Sequence, residues 1–230
     1  MIDKIVYTYW TNKGTNYKLG FLNTDNLLIV FKKSIEESYK LVNNVVVYCD
    51  KEGYSFLYNK IDVKFIIVDY SKYEFDSRYW NFPKIITYNL QKEPFLHIDI
   101  DAIVYTFDKN AEIISECKRG VAYDTALYPS LENKKDLLSN FDGWLTCSGI
   151  LGGNNIEVFK KLFNEVKETV KNKESYLILP KTRMIIEEVV ISALINKNKL
   201  NVVYLNKKNK DFIHYWGEEK QQNFVEYDSK

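Results

Sequence analysis

The chain has 230 residues, 46% of them hydrophobic and 27% charged, which is ordinary globular usage and enough for one α/β domain with a buried core. The 32 basic residues nearly balance the 31 acids and are scattered among them, so the composition excludes the basic stripe of a nucleic-acid-binding protein. The three cysteines form no Cys-x-x-Cys pair, which argues against a disulfide framework or a structural zinc site and favours a reducing, cytoplasmic setting. No run approaches the roughly 18 apolar residues of a membrane span, so we expect no transmembrane segment. If the protein acts at a membrane, we expect it to bind peripherally at the surface.

Over about the first 110 residues, β-branched or aromatic runs alternate with helix-like stretches, the pattern of βαβ units and a parallel sheet. Strands are predicted at residues 4–11, 44–49 and 63–68, and a helix at about 24–42 with Asn23 or Thr24 as its N-cap. The second and third strands are each followed by an aspartate, Asp50 and Asp69. Because open α/β sheets bind ligands outside the carboxyl ends of their strands, these acids predict a site along that edge.

The rest of the chain continues with helices and short strands. We predict a helix at about 80–91, an acid-bearing strand at 94–104, a strand around 121–123, a glycine-rich segment at 148–155, helices at about 155–170 and 183–196, and a strand at 202–205. No repeat, Pro-rich linker or low-complexity segment interrupts this order, which favours a single domain.

Asp99 and Asp101 stand in the apolar run PFLHIDIDAIV. Side chains on a strand repeat every two residues, so both carboxylates are expected on one face, with Ile100 buried opposite. Two hard oxygen ligands at one point suit a divalent cation that bridges phosphates. An Asp-x-Asp is close to chance in this composition, but uncompensated charges within an apolar run are costly; the alternative is an ordinary exposed strand end. His97 lies on the same face and either orients a ligand or is a structural histidine.

The segment HYWGEEK contains His214, Gly217 and Lys220. Imidazole is a ligand that Mn²⁺ accepts more readily than Mg²⁺, glycine allows the backbone to approach a phosphate, and the lysine supplies a cation for it. Together the three suit a diphosphate. The alternative is a C-terminal histidine that packs on Tyr215 and Trp216.

Three of the nine glycines, Gly149, Gly152 and Gly153, fall within the segment SGILGGNN that begins at Ser148. Glycine permits close ligand approach, and the predicted helix that follows favours an anion or hydroxyl at its N-terminus. The segment is therefore a candidate ligand contact. Its spacing fits neither a dinucleotide fingerprint nor a P-loop, and a plain strand-to-helix turn is the alternative.

Glu187 and Glu188 sit in a predicted helix that is apolar nearly all round, which is typical of a buried helix. Two adjacent acids in such a helix either face solvent at the rim of the domain or line a polar pocket. We favour the pocket, where a carboxylate binds sugar hydroxyls or acts as a base or nucleophile.

These segments, in the order KIVYTYWT, WNFPKIITYNLQKEPFLHIDIDAIVY, SGILGGNN, the acid-bearing helix and HYWGEEK, resemble GT-A-fold glycosyltransferases. The resemblance is to the glycogenin and bacterial lipopolysaccharide galactosyltransferase group (family 8) and spans most of the chain. It implies a Rossmann-like α/β fold with a mixed, mostly parallel sheet flanked by helices, in one domain over residues 1–230. Residues 1 to about 110 would form the nucleotide-binding half that ends in the Asp-x-Asp, and about 111–230 the half for donor sugar and acceptor.

The resemblance also implies roles for individual residues. By this match Asp99, Asp101 and His214 hold the metal, usually Mn²⁺ and otherwise Mg²⁺, and Gly217 and Lys220 contact the diphosphate of a UDP-sugar. Tyr7, Thr8 and Trp10 are expected near the nucleobase, and Lys84 near the phosphates or ribose. Glu187 and Glu188 are expected to touch the donor sugar and the acceptor. The family's Asn-Ala-Gly-Ile reads Cys-Ser-Gly-Ile at residues 147–150, so the amide expected on the donor sugar is absent. Gln-Gln replaces the Pro-Trp that often follows the lysine.

The predicted activity is therefore transfer of a hexose from a UDP-sugar to a hydroxyl acceptor on a glycan, lipid-linked sugar or protein, with a retaining outcome by analogy. The first alternative is a sugar-nucleotide nucleotidyltransferase, which predicts a Gly-rich basic loop after the first strand; NKGT at residues 12–15 is a faint version. The second is a non-catalytic carbohydrate- or metal-binding module.

Overall fold

A computed structural model of the chain describes residues 1–13, 16–75, 77, 79–120, 135–171 and 180–221, and the structural statements below refer to these. The first elements are β1 (Lys4–Tyr9), α1 (Thr24–Leu41), β2 (Asn44–Cys49), α2 (Lys51–Leu57), β3 (Lys64–Ile67), α3 (Phe82–Asn89), β4 (Phe95–Ile98) and β5 (Ala102–Val104). They are followed by β6 (Ile113–Ser115), β7 (Lys118–Gly120), α4 (Lys135–Leu138), β8 (Trp144–Thr146), β9 (Ile150–Gly153), α5 (Ile156–Lys171), α6 (Pro180–Asn198), β10 (Val202–Tyr204) and β11 (Phe212–His214). A 3₁₀ helix at Gly217–Gln221 follows β11.

Within the described residues, seven strands form one sheet in the order β10-β6-β9-β4-β1-β2-β3. Strands β3, β2, β1 and β4 run parallel, as do β6 and β10, whereas β9 is antiparallel to both β4 and β6. Two antiparallel ribbons, β5–β11 and β7–β8, lie beside this sheet. The predicted fold class, a single α/β domain with a mixed and mostly parallel sheet flanked by helices, is confirmed.

Helices cover both faces of the sheet, which explains why its central strands are apolar throughout. Alternate residues of β1 show the two faces: Val6 packs in the core formed with α3, α5 and α6, whereas Ile5 and Tyr7 pack in the core formed with α1. On the α1 side, the Tyr7 hydroxyl lies 2.7 Å from the hydroxyls of both Ser34 and Ser38. The side chain of Tyr7 is thus committed to the helix face.

The helix predicted at 24–42 is confirmed as α1, and its start has a simple cause. The Asn23 side chain accepts a hydrogen bond of 2.8 Å from the Asn26 N–H and so caps the helix. The acid-bearing apolar helix is confirmed as α6, whose residues from Ile186 to Ile195 are buried. None of the described helices is both long and apolar enough to cross a membrane. The strand predicted at 121–123 lies outside the described residues.

One continuous strand over residues 94–104 is the element that the sequence predicts wrongly. The chain turns between β4 and β5, and the Ala102 N–H donates to the Asp99 carbonyl at 2.9 Å. This turn moves β5 out of the large sheet to pair with β11. The two aspartates therefore come together in a turn and not through strand alternation.

Asp50, which follows β2, caps α2, and Asp69, which follows β3, caps a short 3₁₀ helix at Tyr70–Lys72. The Asp50 carboxylate accepts from the Gly53 N–H at 2.9 Å and from the Thr11 hydroxyl at 2.8 Å. Asp69 accepts from the Ser71 N–H at 3.2 Å. Neither carboxylate lines the cavity described next, so the acids that belong to the site are those after β4.

Candidate functional site

A cavity of about 550 Å³ lies at the carboxyl ends of β1 and β4, within the usual range for a small-molecule site. Thr8 and Trp10 line it from β1, and Asp99 and Asp101 from the turn after β4. Its further walls come from α3, the two residues directly before β9, α6 and the 3₁₀ helix after β11. The edge is the one at which open α/β sheets bind ligands.

Asp99, Asp101 and His214 offer three ligand atoms that all lie within 4.8 Å of one another. The β5–β11 ribbon causes this convergence, because it pairs His214 with Ala102, the residue directly after the aspartates. Nε2 of His214 is 3.3 Å from Oδ1 of Asp101. Two carboxylates and one imidazole form a donor set that a divalent cation such as Mn²⁺ accepts.

Glu116 holds the other side of the histidine ring. Its Oε2 atom is 2.9 Å from Nδ1 of His214, and both side chains are buried. A carboxylate at Nδ1 keeps a proton there and leaves Nε2 to face the cation position. Gly149 lies against this pair, and a Cβ atom at that position would collide with both side chains.

Protein cations neutralise the candidate metal site in this structure. Burial alone would lower the pKa of His214, but its hydrogen bonds to Asp101 and Glu116 raise it to about 10. Burial would raise the pKa of Asp101, yet His214 and the Lys220 ammonium, which contacts Oδ2, hold it well below its usual value. A protonated histidine and a lysine thus supply the positive charge that a bound cation would bring. The site fits a divalent ion.

Lys84, on α3, lies between the Asp99 carboxylate of the candidate metal site and Glu187 of α6. Its Nζ atom is 3.3 Å from Oδ1 of Asp99, 3.1 Å from the Ser148 carbonyl and 3.6 Å from Oε2 of Glu187. Burial alone would lower the pKa of Lys84, but the carboxylates of Asp99, Glu187 and Glu188 raise it. The lysine is therefore a buried, positively charged side chain in the wall of the cavity.

Glu187 is fully buried and lines the cavity from α6. Its carboxylate accepts from the Tyr88 hydroxyl at 3.0 Å and from the Asn81 amide at 3.4 Å. Burial raises the pKa of Glu187 to about 7, with Asp99 adding to this effect and Lys84 opposing it. A carboxyl group with this pKa exchanges protons near neutral pH.

Glu188 lies beside Glu187 and has different partners. Its Oε1 atom accepts from the Ser148 N–H at 3.2 Å, and its Oε2 atom accepts from the Arg119 guanidinium. Arg119 also lines the cavity, and its side chain is 42% exposed. The pair therefore places a buried carboxylate and a partly exposed guanidinium at the same wall of the cavity.

His97 lies behind Asp99 in a chain of directed hydrogen bonds. The Thr87 hydroxyl donates to the Pro83 carbonyl at 3.1 Å, and the Thr8 hydroxyl donates to Thr87 at 2.9 Å. The Thr8 oxygen is 3.1 Å from Nε2 of His97 and is left to accept, so Nε2 carries the proton. Burial lowers the pKa of His97 well below its usual value, and Lys84 adds to this. Its buried Nδ1 atom has no hydrogen-bond partner within the described residues and lies 3.7 Å from Oδ1 of Asp99.

The structure brings most of the predicted site residues to one cavity. Those that line it are Thr8, Trp10, Lys84, Asp99, Asp101, Ser148, Gly149, Glu187, Glu188, His214, Gly217 and Lys220. Tyr7 does not line it, since its side chain faces α1. Gly152 and Gly153 lie in β9, where Cβ atoms would collide with the backbone at Phe95 and Glu112 respectively. Close strand packing therefore accounts for glycine at these two positions.

Sequence reasoning missed Glu116, Arg119, Asn81 and Tyr88. Arg119 carries one weak signal, because arginine is scarce in this chain. Glu116 carries none: it follows a short strand and meets His214 across 98 positions of sequence. Asn81 and Tyr88 belong to the predicted helix that became α3, but nothing in their spacing points to Glu187.

A family model described as "Family of unknown function (DUF6734)" matches residues 3–230. The chain belongs to this family. No curated protein matches the chain in sequence.

Several solved structures are similar to this DUF6734 chain, all with low identity. Mouse xyloside xylosyltransferase 1, in its apo form, is 10% identical, with 90% of this chain and 85% of that chain covered and a TM-score of 0.46. Core-mannan synthase A from Aspergillus fumigatus, in a Mn/GDP form, is 8% identical, with 93% and 75% covered and a TM-score of 0.47. CTP:phosphocholine cytidylyltransferase from Streptococcus pneumoniae is 11% identical, with 93% of both chains covered and a TM-score of 0.42.

Proposed function

We propose that this chain is a metal-dependent glycosyltransferase of the GT-A kind that moves a hexose from a UDP-sugar to a hydroxyl acceptor. The observation that carries the proposal is the convergence of Asp99, Asp101 and His214 within 4.8 Å at a cavity that Glu187 and Glu188 also line. A diphosphate needs a cation, and a transferred sugar needs hydrogen-bonding carboxylates beside it. Both requirements are met in one cavity.

Asp99, Asp101 and His214 would hold Mn²⁺, or Mg²⁺, and the ion would neutralise charge on the departing nucleoside diphosphate. The chain's own residues prepare this site. Glu116 fixes the orientation of the His214 ring, and Lys84 holds the Asp99 carboxylate at 3.3 Å. Lys220, which contacts Asp101 in this structure, would then be available for the diphosphate.

Gly217 begins the 3₁₀ helix that carries Lys220 and lines the same cavity. Its φ of +47° lies in the left-handed region that favours glycine, and no atom lies within 4 Å of the place where a Cβ would stand. This open backbone suits the approach of a phosphate. We propose that Thr8 and Trp10, which line the same cavity, lie near the nucleobase.

Glu187 and Glu188 are proposed to serve the sugar end of the cavity. Glu187, with its pKa near 7, suits proton exchange with the acceptor hydroxyl. Glu188, held by Arg119 and by the Ser148 N–H, suits hydrogen bonding to donor-sugar hydroxyls.

Residues up to about 110 would then form the nucleotide half and the rest the sugar and acceptor half. We propose a retaining outcome and cytoplasmic action on a glycan, lipid-linked or protein acceptor, with no nucleic-acid partner.

The test is a panel of UDP- and GDP-sugars incubated with the protein, with release of free nucleoside diphosphate measured in the presence and absence of Mn²⁺. We expect Mn²⁺-dependent hydrolysis of a UDP-hexose and its loss in Asp101→Asn. Asp142→Asn is the matched control, because Asp142 is exposed and pairs with Lys118 outside the cavity. Full activity in Asp101→Asn would refute the metal role. Proton NMR of a transferred product gives the anomeric configuration.

The same assay separates the alternatives. A nucleotidyltransferase would release pyrophosphate from UTP and a sugar 1-phosphate. The basic loop that this alternative predicts spans residues 12–15, of which 14 and 15 lie outside the described residues. A non-catalytic module would show calorimetric sugar binding that is indifferent to both UDP and Mn²⁺.

A further inference from the structure

Cys117 and Cys147 face each other where the β7–β8 ribbon begins. The register pairs Lys118 with Thr146, so the two cysteines occupy the next position of the ladder. The Cys147 N–H donates to the Cys117 carbonyl at 3.0 Å, and the two sulfur atoms are 3.1 Å apart. Both thiols are free in the structure.

This geometry is close to that of a disulfide, so only a small adjustment of the two strand ends is needed to form one. Directly opposed residues of an antiparallel ladder have Cα atoms about 4.5–5.5 Å apart, which falls within the range of native disulfides. The Ser115 hydroxyl lies 3.3 Å from the Cys117 carbonyl and 2.8 Å from that of Cys147, so it fixes the two strand ends together. The third cysteine, Cys49, lies at the end of β2 in the core on the α1 side and is not part of this pair.

The two thiols differ in access and in acidity. Cys117 is half-buried, whereas Cys147 is 1% exposed. The hydrogen-bonding contact with Cys147 lowers the pKa of Cys117, and Arg119 adds to this effect. The same contact, with burial, raises the pKa of Cys147. Cys117 is therefore the more accessible and the more readily ionised of the two thiols.

We propose that Cys117 and Cys147 form a reversible dithiol site that undergoes thiol–disulfide exchange with low-molecular-weight disulfides. The Cys117 thiolate attacks one sulfur of the small disulfide, forming a mixed disulfide and releasing one small thiolate, which takes up a proton. The Cys147 thiol then gives its proton to solvent and attacks the Cys117 sulfur, which releases the second small thiolate, and that thiolate takes up a proton from solvent. The two protein thiols are oxidised by two electrons in total, and one small disulfide is reduced to two thiols.

The position of the pair links its redox state to the candidate metal site, a consequence that rests on the proposed function. Glu116, which orients His214, directly precedes Cys117, and Ser148, which contacts Lys84 and Glu188, directly follows Cys147. A disulfide has an S–S bond of about 2.05 Å, so oxidation draws the sulfurs roughly 1 Å closer. Catalytic constellations tolerate displacements of only about 0.5 Å. Oxidation is therefore expected to weaken metal binding.

The first experiment needs no variant and no transferase activity. The reduced protein is incubated with oxidised glutathione, quenched with an alkylating agent and mapped by peptide mass. We expect a peptide pair joined through Cys117 and Cys147, with Cys49 alkylated and with dithiothreitol restoring the thiols. Three alkylated cysteines after prolonged incubation, or a glutathione adduct that persists on Cys117, would refute the dithiol site.

Single variants test the order of attack. Cys147→Ser is expected to stop at a stable glutathione adduct on Cys117, whereas Cys117→Ser is expected to leave Cys147 unmodified over the same time. Cys49→Ser is the control and still forms the disulfide. Equal modification of Cys147 in Cys117→Ser would contradict the assignment of Cys117 as the attacking thiol. Thermal melting of each variant establishes that it is folded.

The link to the metal site has its own readout. Mn²⁺ titration of the reduced and oxidised wild-type protein is expected to show about tenfold weaker binding after oxidation, the effect typical of a disturbed outer shell. The double variant Cys117→Ser/Cys147→Ser should show no change on treatment with oxidised glutathione. Equal affinities of the two wild-type forms would refute the link. If neither form binds Mn²⁺, the proposed function fails, while the peptide map still decides whether the dithiol site exists.

Discussion

Glu116 accepts the Nδ1 proton of His214 across a buried contact of 2.9 Å. This contact is 98 positions long in sequence and sets the direction in which Nε2 of the histidine faces, toward Asp101. In metal sites such carboxylate–histidine pairs fix the tautomer and raise the basicity of the ligand. The pair is therefore the structural reason to treat His214 as a metal ligand.

Glu116→Gln is expected to weaken Mn²⁺ binding by about tenfold, because the neutral amide no longer favours the Nδ1 proton and its shape preserves the packing. Isothermal calorimetry with Mn²⁺ measures the change. Glu157→Gln is the control, since Glu157 is exposed on α5 and pairs only with Lys160 among the ion pairs described. Unchanged affinity in Glu116→Gln would show that the contact is structural only.

Two glycine substitutions distinguish an effect on the candidate metal site from an effect on the packing of the sheet. In Gly149→Ala the new Cβ would collide with the side chains of His214 and Glu116, which are able to shift, so we expect a folded protein with at least about tenfold weaker Mn²⁺ binding. In Gly152→Ala the Cβ would meet the Phe95 backbone in β4, so the free energy of unfolding is expected to fall by roughly 1–3 kcal/mol.

Urea unfolding and Mn²⁺ titration of both glycine variants provide the comparison. The prediction fails if Gly149→Ala loses as much stability as Gly152→Ala while keeping its metal affinity. It also fails if Gly152→Ala leaves stability unchanged, because β4 and β9 would then have room that the structure does not show.

The sequence predicted correctly those helices and strands that are determined by local sequence patterns. The apolar run at Asn44–Cys49 became β2 with those bounds, and Asn23 caps α1 through its own side chain. The nearly uniform apolar character of α6 predicted its burial, and of the two positions left open for Glu187 and Glu188, the rim and the pocket, the structure shows the favoured pocket. These features depend on residues that are close in sequence.

The features that the sequence did not predict depend on distant contacts. The turn between β4 and β5 contains no glycine or proline, and apolar residues flank it on both sides, so it reads as a continuous strand. Pairing of β5 with β11 holds the turn, and that pairing spans about half the chain. Glu116 and Arg119 reach the site from β6 and β7, which are only three residues long each. Such short strands carry too few residues for a periodic signal.

His97 is expected to be neutral and protonated at Nε2 in the folded protein. The hydrogen-bond chain through Thr8 and Thr87 fixes this tautomer, and burial lowers the pKa of the imidazole. Two-dimensional ¹H–¹⁵N NMR reports the state of each ring nitrogen, and with only two histidines in the chain the assignment needs one variant, His214→Gln. Thr8→Val removes the acceptor and should allow the Nδ1–H tautomer to appear. A wild-type ring protonated at Nδ1 would contradict the direction of the chain.

Glu187 gives the folded protein a defined pH dependence. Burial raises its pKa from 4.5 to about 7, so between these values the unfolded chain ionises while the folded protein keeps the proton. The stability contributed by the protonated form is complete below about pH 4.5 and is lost as pH rises through 7, with a total of roughly 3 kcal/mol.

Glu187→Gln cannot ionise, so its free energy of unfolding relative to wild type should increase between pH 5 and pH 8, whatever constant offset the amide introduces. Urea unfolding at both pH values measures this difference, and Glu157→Gln, on the exposed face of α5, should show none. If wild type and Glu187→Gln change in parallel with pH, Glu187 is ionised throughout, and its assignment as the group that exchanges a proton with the acceptor loses its basis.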